Sequence, residues 1–250
     1  MMPTGRVPQT KRGFDGLEGA AVVVRLGLTS NCPIRTSFEG FSALSCEYCQ
    51  EVPLDGSTIP SNLMSAADEH PTIELSMSEL RAVTAYALAC AEPVLAIFER
   101  DCPEDPRPRA VLDEARGFAA GGKRTKALRV TALDAHRAAR AARERGHEAA
   151  SDAACAAGHA GAAAYLHPLA KATQGGHILM SAAHAARALE LEAGDDRNVG
   201  GDYIQKATDL AGPIVVSVLL RYPHAPSGRG RVGELWRELD ASLRRLATDR

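Results

Sequence analysis

The sequence predicts an all-α fold, an alanine-rich helical bundle of about seven helices preceded by a disordered N-terminal tail. Three observations lead there. Apolar residues recur at three- and four-residue steps from Ser76 almost to the C-terminus. Only 4% of the chain is aromatic against 45% hydrophobic, so alanine and leucine must fill the core, which favours closely packed helices. That same region carries no strand signal.

Residues 1–72 stand apart. Pro, Gly, Ser and Thr recur from Met1 to Pro71 without a sustained helical period, the composition of a disordered segment. A mis-assigned start upstream of Met64 would give the same contrast. Residues 1–72 therefore read as a disordered or mis-assigned extension, and residues 73–250 as the helical domain. The apolar run Gly19 to Val24 stops at Arg25, short of a signal-peptide core, and no run is expected to reach bilayer-span length. Cys46 and Cys49 form a CxxC with only Cys32 nearby, too few ligands for a zinc ribbon. The six cysteines (32, 46, 49, 90, 102 and 155) follow no disulfide framework, which fits a reducing cytoplasm.

The helical region divides at its caps and breakers. Ser76 with Glu79 is a capping box that opens the first helix. Leu80, Val83, Ala87, Cys90, Val94 and Phe98 line its apolar face, and Pro93 should kink it. Asp105-Pro106-Arg107-Pro108 is a stiff connector, with Pro108 in the first turn of a second helix that ends near Gly121-Gly122. A third buries Leu128, Ala132, Ala135, Ala139 and Ala142, carries Arg137, Arg140 and Arg143 elsewhere, and ends at Gly146.

Glu148 to Tyr165 is a fourth helix of almost only small residues. Small side chains let helix axes approach, so this one belongs at the centre of the bundle. His167 to Glu192 reads as a fifth, ending at Gly194-Asp195-Asp196. Tyr203, Ala207, Leu210, Ile214 and Val218 belong to a sixth, kinked at Gly212-Pro213. After the Tyr222–Pro226 loop, a last helix buries Val232, Leu235, Trp236, Leu239, Leu243 and Leu246. No repeat of roughly 33–47 residues marks a solenoid.

Few motifs carry chemistry. Gly117 to Lys123 imitates a P-loop, but Arg124 replaces the hydroxyl residue that binds magnesium, and the preceding segment is helical, not a strand. Cys155 and His159 are one turn apart with Asp152 nearby, at most half a metal site, and the reading taken is a core thiol and a histidine at a helix edge.

The densest polar constellation runs from Tyr165 to His184. On one continuous helix His167, Lys171, Gln174, His177, Ser181 and His184 would fall within about 140° of arc. Leu169, Ala172, Leu179, Met180 and Ala183 would lie opposite. The strip is either a solvated face or a polar pocket. Histidine and glutamine in place of the usual Glu–Lys pairs, and Gly175-Gly176 at a cost in helix stability, make it the candidate site. The helical rise separates its histidines by roughly 10–15 Å, so no two of them share a metal from a straight helix.

The stretch Ala164 to Leu179 (AYLHPLAKATQGGHIL) resembles the signature of the bacterial Imm-five-like immunity protein family. So do Asp105-Pro106-Arg107-Pro108, the segment Arg129 to Arg137, and Arg221-Tyr222-Pro223. The resemblance extends over roughly Ile73 to Leu246, the helical region, and has no counterpart in the N-terminal extension. It implies an all-helical protein of polymorphic toxin systems that neutralises a toxin. It brings no catalytic residue with it.

Together these readings point to a cytoplasmic binding protein that occludes a toxin partner, with no catalytic residue, no cofactor and no metal. The net charge of −2 argues against nucleic acid, and nothing suggests a membrane surface. The candidate binding residues are His136, Tyr165, His167, Lys171, Gln174, His177 and His184. The acidic residues Glu190, Glu192, Asp195, Asp196 and Asp202 are the candidate partner surface, suited to a basic toxin groove. The alternative is a helical enzyme or small-molecule binder using the His/Lys/Gln set between helices. A structural oligomer built on the alanine faces is a third reading. The sequence leaves the oligomeric state open.

Overall fold

Ser76 opens the first helix as its capping box requires. Its hydroxyl accepts from the Glu79 N–H at 3.2 Å, and the Glu79 carboxylate accepts from the Ser76 N–H at 2.8 Å. The computed structural model describes residues 72–228 and 230–248. The expectations placed on residues 1–71, namely the extension, the Met64 start, the Gly19–Val24 run and the Cys32/Cys46/Cys49 thiols, lie outside them.

Among the described residues the chain forms nine α-helices. These are α1 (Met77–Ala91), α2 (Leu95–Asp101), α3 (Arg107–Ala119), α4 (Lys126–Glu144), α5 (Glu148–Ala162), α6 (Gly176–Glu192), α7 (Arg197–Leu210), α8 (Pro213–Leu219) and α9 (Arg231–Thr248). An isolated antiparallel bridge, Thr72 to Leu169, is the β-type pairing present among them. The nine helices occupy the seven expected segments, because proline divides two of those segments. Pro93 sits in a 3-10 turn, Glu92–Val94, between α1 and α2, and Pro213 starts α8.

The fourth segment is central, as its small residues imply. Every residue of α5 from Ala150 to Gly161 is buried, and the helix packs most extensively on α4 and α6 while also touching α1, α2 and α3. A Cβ placed on Gly161 would lie 2.3 Å from Val111 Cγ2 and 3.2 Å from Ala132 Cβ, so glycine is what lets α3 and α4 close on this helix. Phe98, Phe118, Leu128, Ile178, Leu235 and Leu239 supply the large buried side chains around it.

Two expectations need correction. The stretch Met77–Asp101 contains an 18-residue window of mean hydropathy 1.4, long and apolar enough by composition to cross a bilayer, whereas no such run was expected. In the fold 61% of that window is buried, with α3, α5 and α6 packed around it, as for a core helix.

The fifth segment is not one helix from His167. Leu166 to Lys171 is non-helical, Ala172–Gly175 is a 3-10 turn, and α6 begins at Gly176. Pro168 disfavours a helical residue before it, and the Ile73 N–H donates to the Pro168 carbonyl at 2.7 Å, so the chain is drawn into local pairing. In the sixth segment, broken at Gly212-Pro213 as expected, Tyr203, Ala207 and Val218 are buried while Leu210 and Ile214 are exposed, at 47% and 50%. The break at Gly212-Pro213 ends the phase that a continuous helix would have kept.

Candidate functional site

The polar residues of α6 face inward. Ser181 donates its hydroxyl hydrogen towards the carbonyls of Ala87 (2.7 Å) and Ala156 (3.0 Å), which ties α6 to α1 and α5. One turn on, His184 places Nδ1 2.7 Å from Oδ1 of Asp152 on α5, both side chains being buried. A carboxylate can only accept when ionised, so it selects the tautomer with the proton on Nδ1 and fixes the ring orientation.

The His184 ring stacks on His159 of α5, with centroids 5.2 Å apart and planes inclined by 14°. His159 in turn meets His136 of α4 edge-on at 4.9 Å. Three imidazoles from three helices thus form a contiguous cluster, with His159 and His184 buried and His136 half-buried at its outer side. His159 is 4% exposed, so it lies in the core and not at the helix edge that the sequence reading gave it. Its Nε2 has no hydrogen-bond partner among the described residues.

Gly158 makes room for the third ring. A Cβ there would lie 2.8 Å from His136 Nε2 and 2.9 Å from Cε1, so any side chain would displace the imidazole. His177 lies nearby at the start of α6.

Burial keeps these histidines neutral. It lowers His136 to about 4, with His184 and His177 adding repulsion. The same cause, followed by the charge of His167, lowers His177 to about 4. His159 is depressed most strongly, again by burial first and then by its histidine neighbours. At neutral pH these three rings are uncharged polar groups. Among the described residues, no group of three or more His, Cys, Asp or Glu is arranged to hold a metal ion.

The candidate set therefore divides. His136 and His184 join the cluster, and His177 stands half-buried at the start of α6. Tyr165, His167, Lys171 and Gln174 belong to the segment before α6, at its outer end. Gln174 Oε1 accepts from the His167 N–H at 2.9 Å and closes that segment on itself. The Tyr222 hydroxyl donates to the His167 carbonyl at 2.9 Å, and the Tyr165 hydroxyl donates to the Thr125 carbonyl at 2.7 Å. His167 is exposed, and Lys171 and Gln174 are half-buried. Gly175 and Gly176 fall at the junction of turn and helix, and a Cβ on Gly175 would meet only Leu219, at 4.0 Å.

Asp152 and His159 complete the cluster. In the sequence they stand beside Cys155, apart from the α6 strip. One signal was available: Asp152 and His159 are two turns apart on one helix, as are His177 and His184 on the next. Matching polar spacing on two adjacent helices is what a shared buried network requires.

The acidic candidates are mostly engaged within the chain. Glu190 is fully buried and receives the Arg231 guanidinium at 2.6 and 2.9 Å and Arg187 at 2.9 Å. Arg187 also binds Asp195. Glu192 accepts two bonds from Arg100 at 2.5 and 2.9 Å. Asp196 caps α7 by accepting from the Asn198 N–H at 2.9 Å. Asp202 stands exposed.

Two open clefts lie elsewhere. One, of about 610 Å³, is bounded by Ile73, Glu74, Leu75, Ser76, Glu79 and Arg221. The Arg221 guanidinium there binds Glu79 and holds its carboxyl down to about 2. A second, of about 430 Å³, lies along Asp101–Arg107 with Arg145.

Compared with known proteins, residues 74–209 match the model of a family described as Imm-5 like putative immunity protein. No curated protein and no solved structure matches the chain.

Proposed function

Because this chain belongs to the Imm-5 like immunity family, we propose that it is a cytoplasmic binding protein that neutralises a cognate toxin by stoichiometric occlusion. The observation that carries the reading is the family match over residues 74–209, which runs from the entrance of α1 to the end of α7. An immunity protein of this type needs a rigid scaffold and a complementary surface. The buried His–Asp cluster and the Glu190–Arg231 pair fit the first requirement, since they fix how α4, α5, α6 and α9 meet. The test is genetic. Deleting the gene while an adjoining toxin gene stays active should arrest growth, and supplying the full chain in trans should restore it. Unchanged growth of the deletion strain, with that toxin demonstrably active, would refute the reading.

A second reading rests on His159. Its buried, unpartnered Nε2 beside the oriented His184–Asp152 pair is the arrangement of an acid–base group waiting for a ligand. The two readings part on His159→Gln. If the variant folds and still protects, the ring serves the scaffold; if it folds but loses function, a small-molecule role is favoured.

A further inference from the structure

We propose that the outer face of α4 is the docking surface of this protein, and that it takes a partner protein whose own surface is acidic around an apolar centre. The proposal rests on the immunity reading and names the surface through which it operates.

The inner face of α4 is fully used, with Leu128, Ala132, Ala135, Ala138, Ala139 and Ala142 buried against α5 and α3. The opposite face is not. Val130 and Leu133 stand 42% and 46% exposed, two of the few large hydrophobic side chains left in solvent among the described residues. At 100° per residue they lie on one stripe with Lys126, Arg129 and Arg140. Among the described residues these three cations form no ion pair. Most other arginines of the fold, such as Arg100, Arg109, Arg116, Arg187, Arg221 and Arg231, are bound to the chain's own carboxylates.

On this face of α4 three exposed cations without an ion pair therefore surround two exposed apolar side chains, while Arg137 and Arg143 of the same helix bind Asp134 and Glu148. The acidic set expected to serve is largely consumed by internal pairs. The helix is about 28 Å long, the width of a standard interface of ~800 Å² per partner. An apolar centre with a charged, arginine-bearing rim is the anatomy of a protein–protein contact. A nucleic acid is less suited, because the stripe has no aromatic ring to stack a base and the net charge of the chain is −2.

The experiment measures binding of the full chain to the purified, catalytically inactivated product of the adjoining toxin gene. Two variants, K126E/R129E/R140E and L133D, are compared with wild type and with I214D, which alters an exposed apolar residue on α8. All substituted side chains are exposed, so unchanged melting confirms the fold. The proposal expects each α4 variant to weaken affinity at least tenfold, while I214D binds as wild type. The charge reversal should also slow association and abolish its salt dependence, because rim charges act mainly on the encounter rate.

Wild-type binding with both α4 variants within twofold would overturn the α4 surface and leave the immunity reading standing. Failure of the wild type to bind or protect would remove both. A 20-base-pair duplex, or phosphatidylglycerol vesicles, bound by wild type and lost in the charge reversal while toxin binding is unaffected, would also overturn it.

Discussion

His184 and Asp152, 32 residues apart in the chain, meet at 2.7 Å inside the α5–α6 interface. The contact joins two closely packed helices through side chains that are both buried. Asp152→Ala leaves the imidazole without its acceptor and should cost about 2–4 kcal/mol. Asp152→Asn keeps an acceptor and should cost less. Urea denaturation of the two variants checks the order, and an Asp152→Ala midpoint equal to wild type would show that the pair contributes nothing.

Acid should unfold this protein in two separable windows. His136 and His177 are held at about 4 in the fold, against about 6.5 when unfolded. Between those values the unfolded chain binds more protons, so the stability from keeping these rings neutral is complete above about pH 6.5. It is lost as pH falls towards about 4, by roughly 2 kcal/mol per ring at pH 5. Glu79, held near 2 by Arg221, contributes stability above about pH 4.5 that disappears only below that. Urea midpoints measured from pH 8 to pH 3 should show the histidine loss first. His136→Gln with His177→Gln should shrink the upper window to the part that His159 contributes and leave the lower one unchanged.

Gly158→Ala tests how the cluster is seated. The new methyl would occupy the place of His136 Nε2, so the ring must swing outward. Its NMR titration should then move from about 4 towards 6.5, with a loss of about 1–3 kcal/mol from disturbed packing. A His136 titration unchanged in the variant would contradict the packing described. Gly161→Ala, which meets Val111 at 2.3 Å, should cost a similar amount without moving any histidine pKa.

Glu190 anchors the C-terminal helix. It is fully buried, and Gly200 leaves room for it, since a Cβ there would lie 2.0 Å from Oε1. Glu190→Ala takes the buried carboxylate from Arg187 and Arg231, which keep Asp195 and Glu234, and should cost about 1–3 kcal/mol. Amide exchange in α9 should accelerate more than in α5, because α9 meets α6 through this pair as well as through Leu235 and Leu239. Equal acceleration of both helices would mean that Glu190 supports the whole bundle and not α9 in particular.

The two halves of the candidate site differed in how readable they were. His177 and His184 are legible as unusual polar residues on an amphipathic segment, and the fold brings His184 together with His136 of another helix. Asp152 and His159 were recognised as polar but kept apart from them, since the partner of each lies on another helix. Lys171 and Gln174 were placed on a helix face by periodicity. Pro168 and the pairing of Ile73 with its carbonyl put them in a connecting segment instead.

What the sequence determined by itself was local. The Ser76–Glu79 cap, the proline breaks at 93 and 213, the seven helical segments and the central place of the all-small α5 follow from spacing and side-chain size within a few turns of chain. Only the tertiary structure decided what lies opposite each face. A polar stripe reads the same whether it faces water or a matching stripe on a neighbour. The histidines of α6 turned inward because α5 and α4 supply Asp152, His159 and His136 at the right height. Glu190 turned inward because Arg187 and Arg231 reach it. Of the α4 cations, Arg137 and Arg143 found Asp134 and Glu148, while Lys126, Arg129 and Arg140 stayed outside without an ion pair among the described residues.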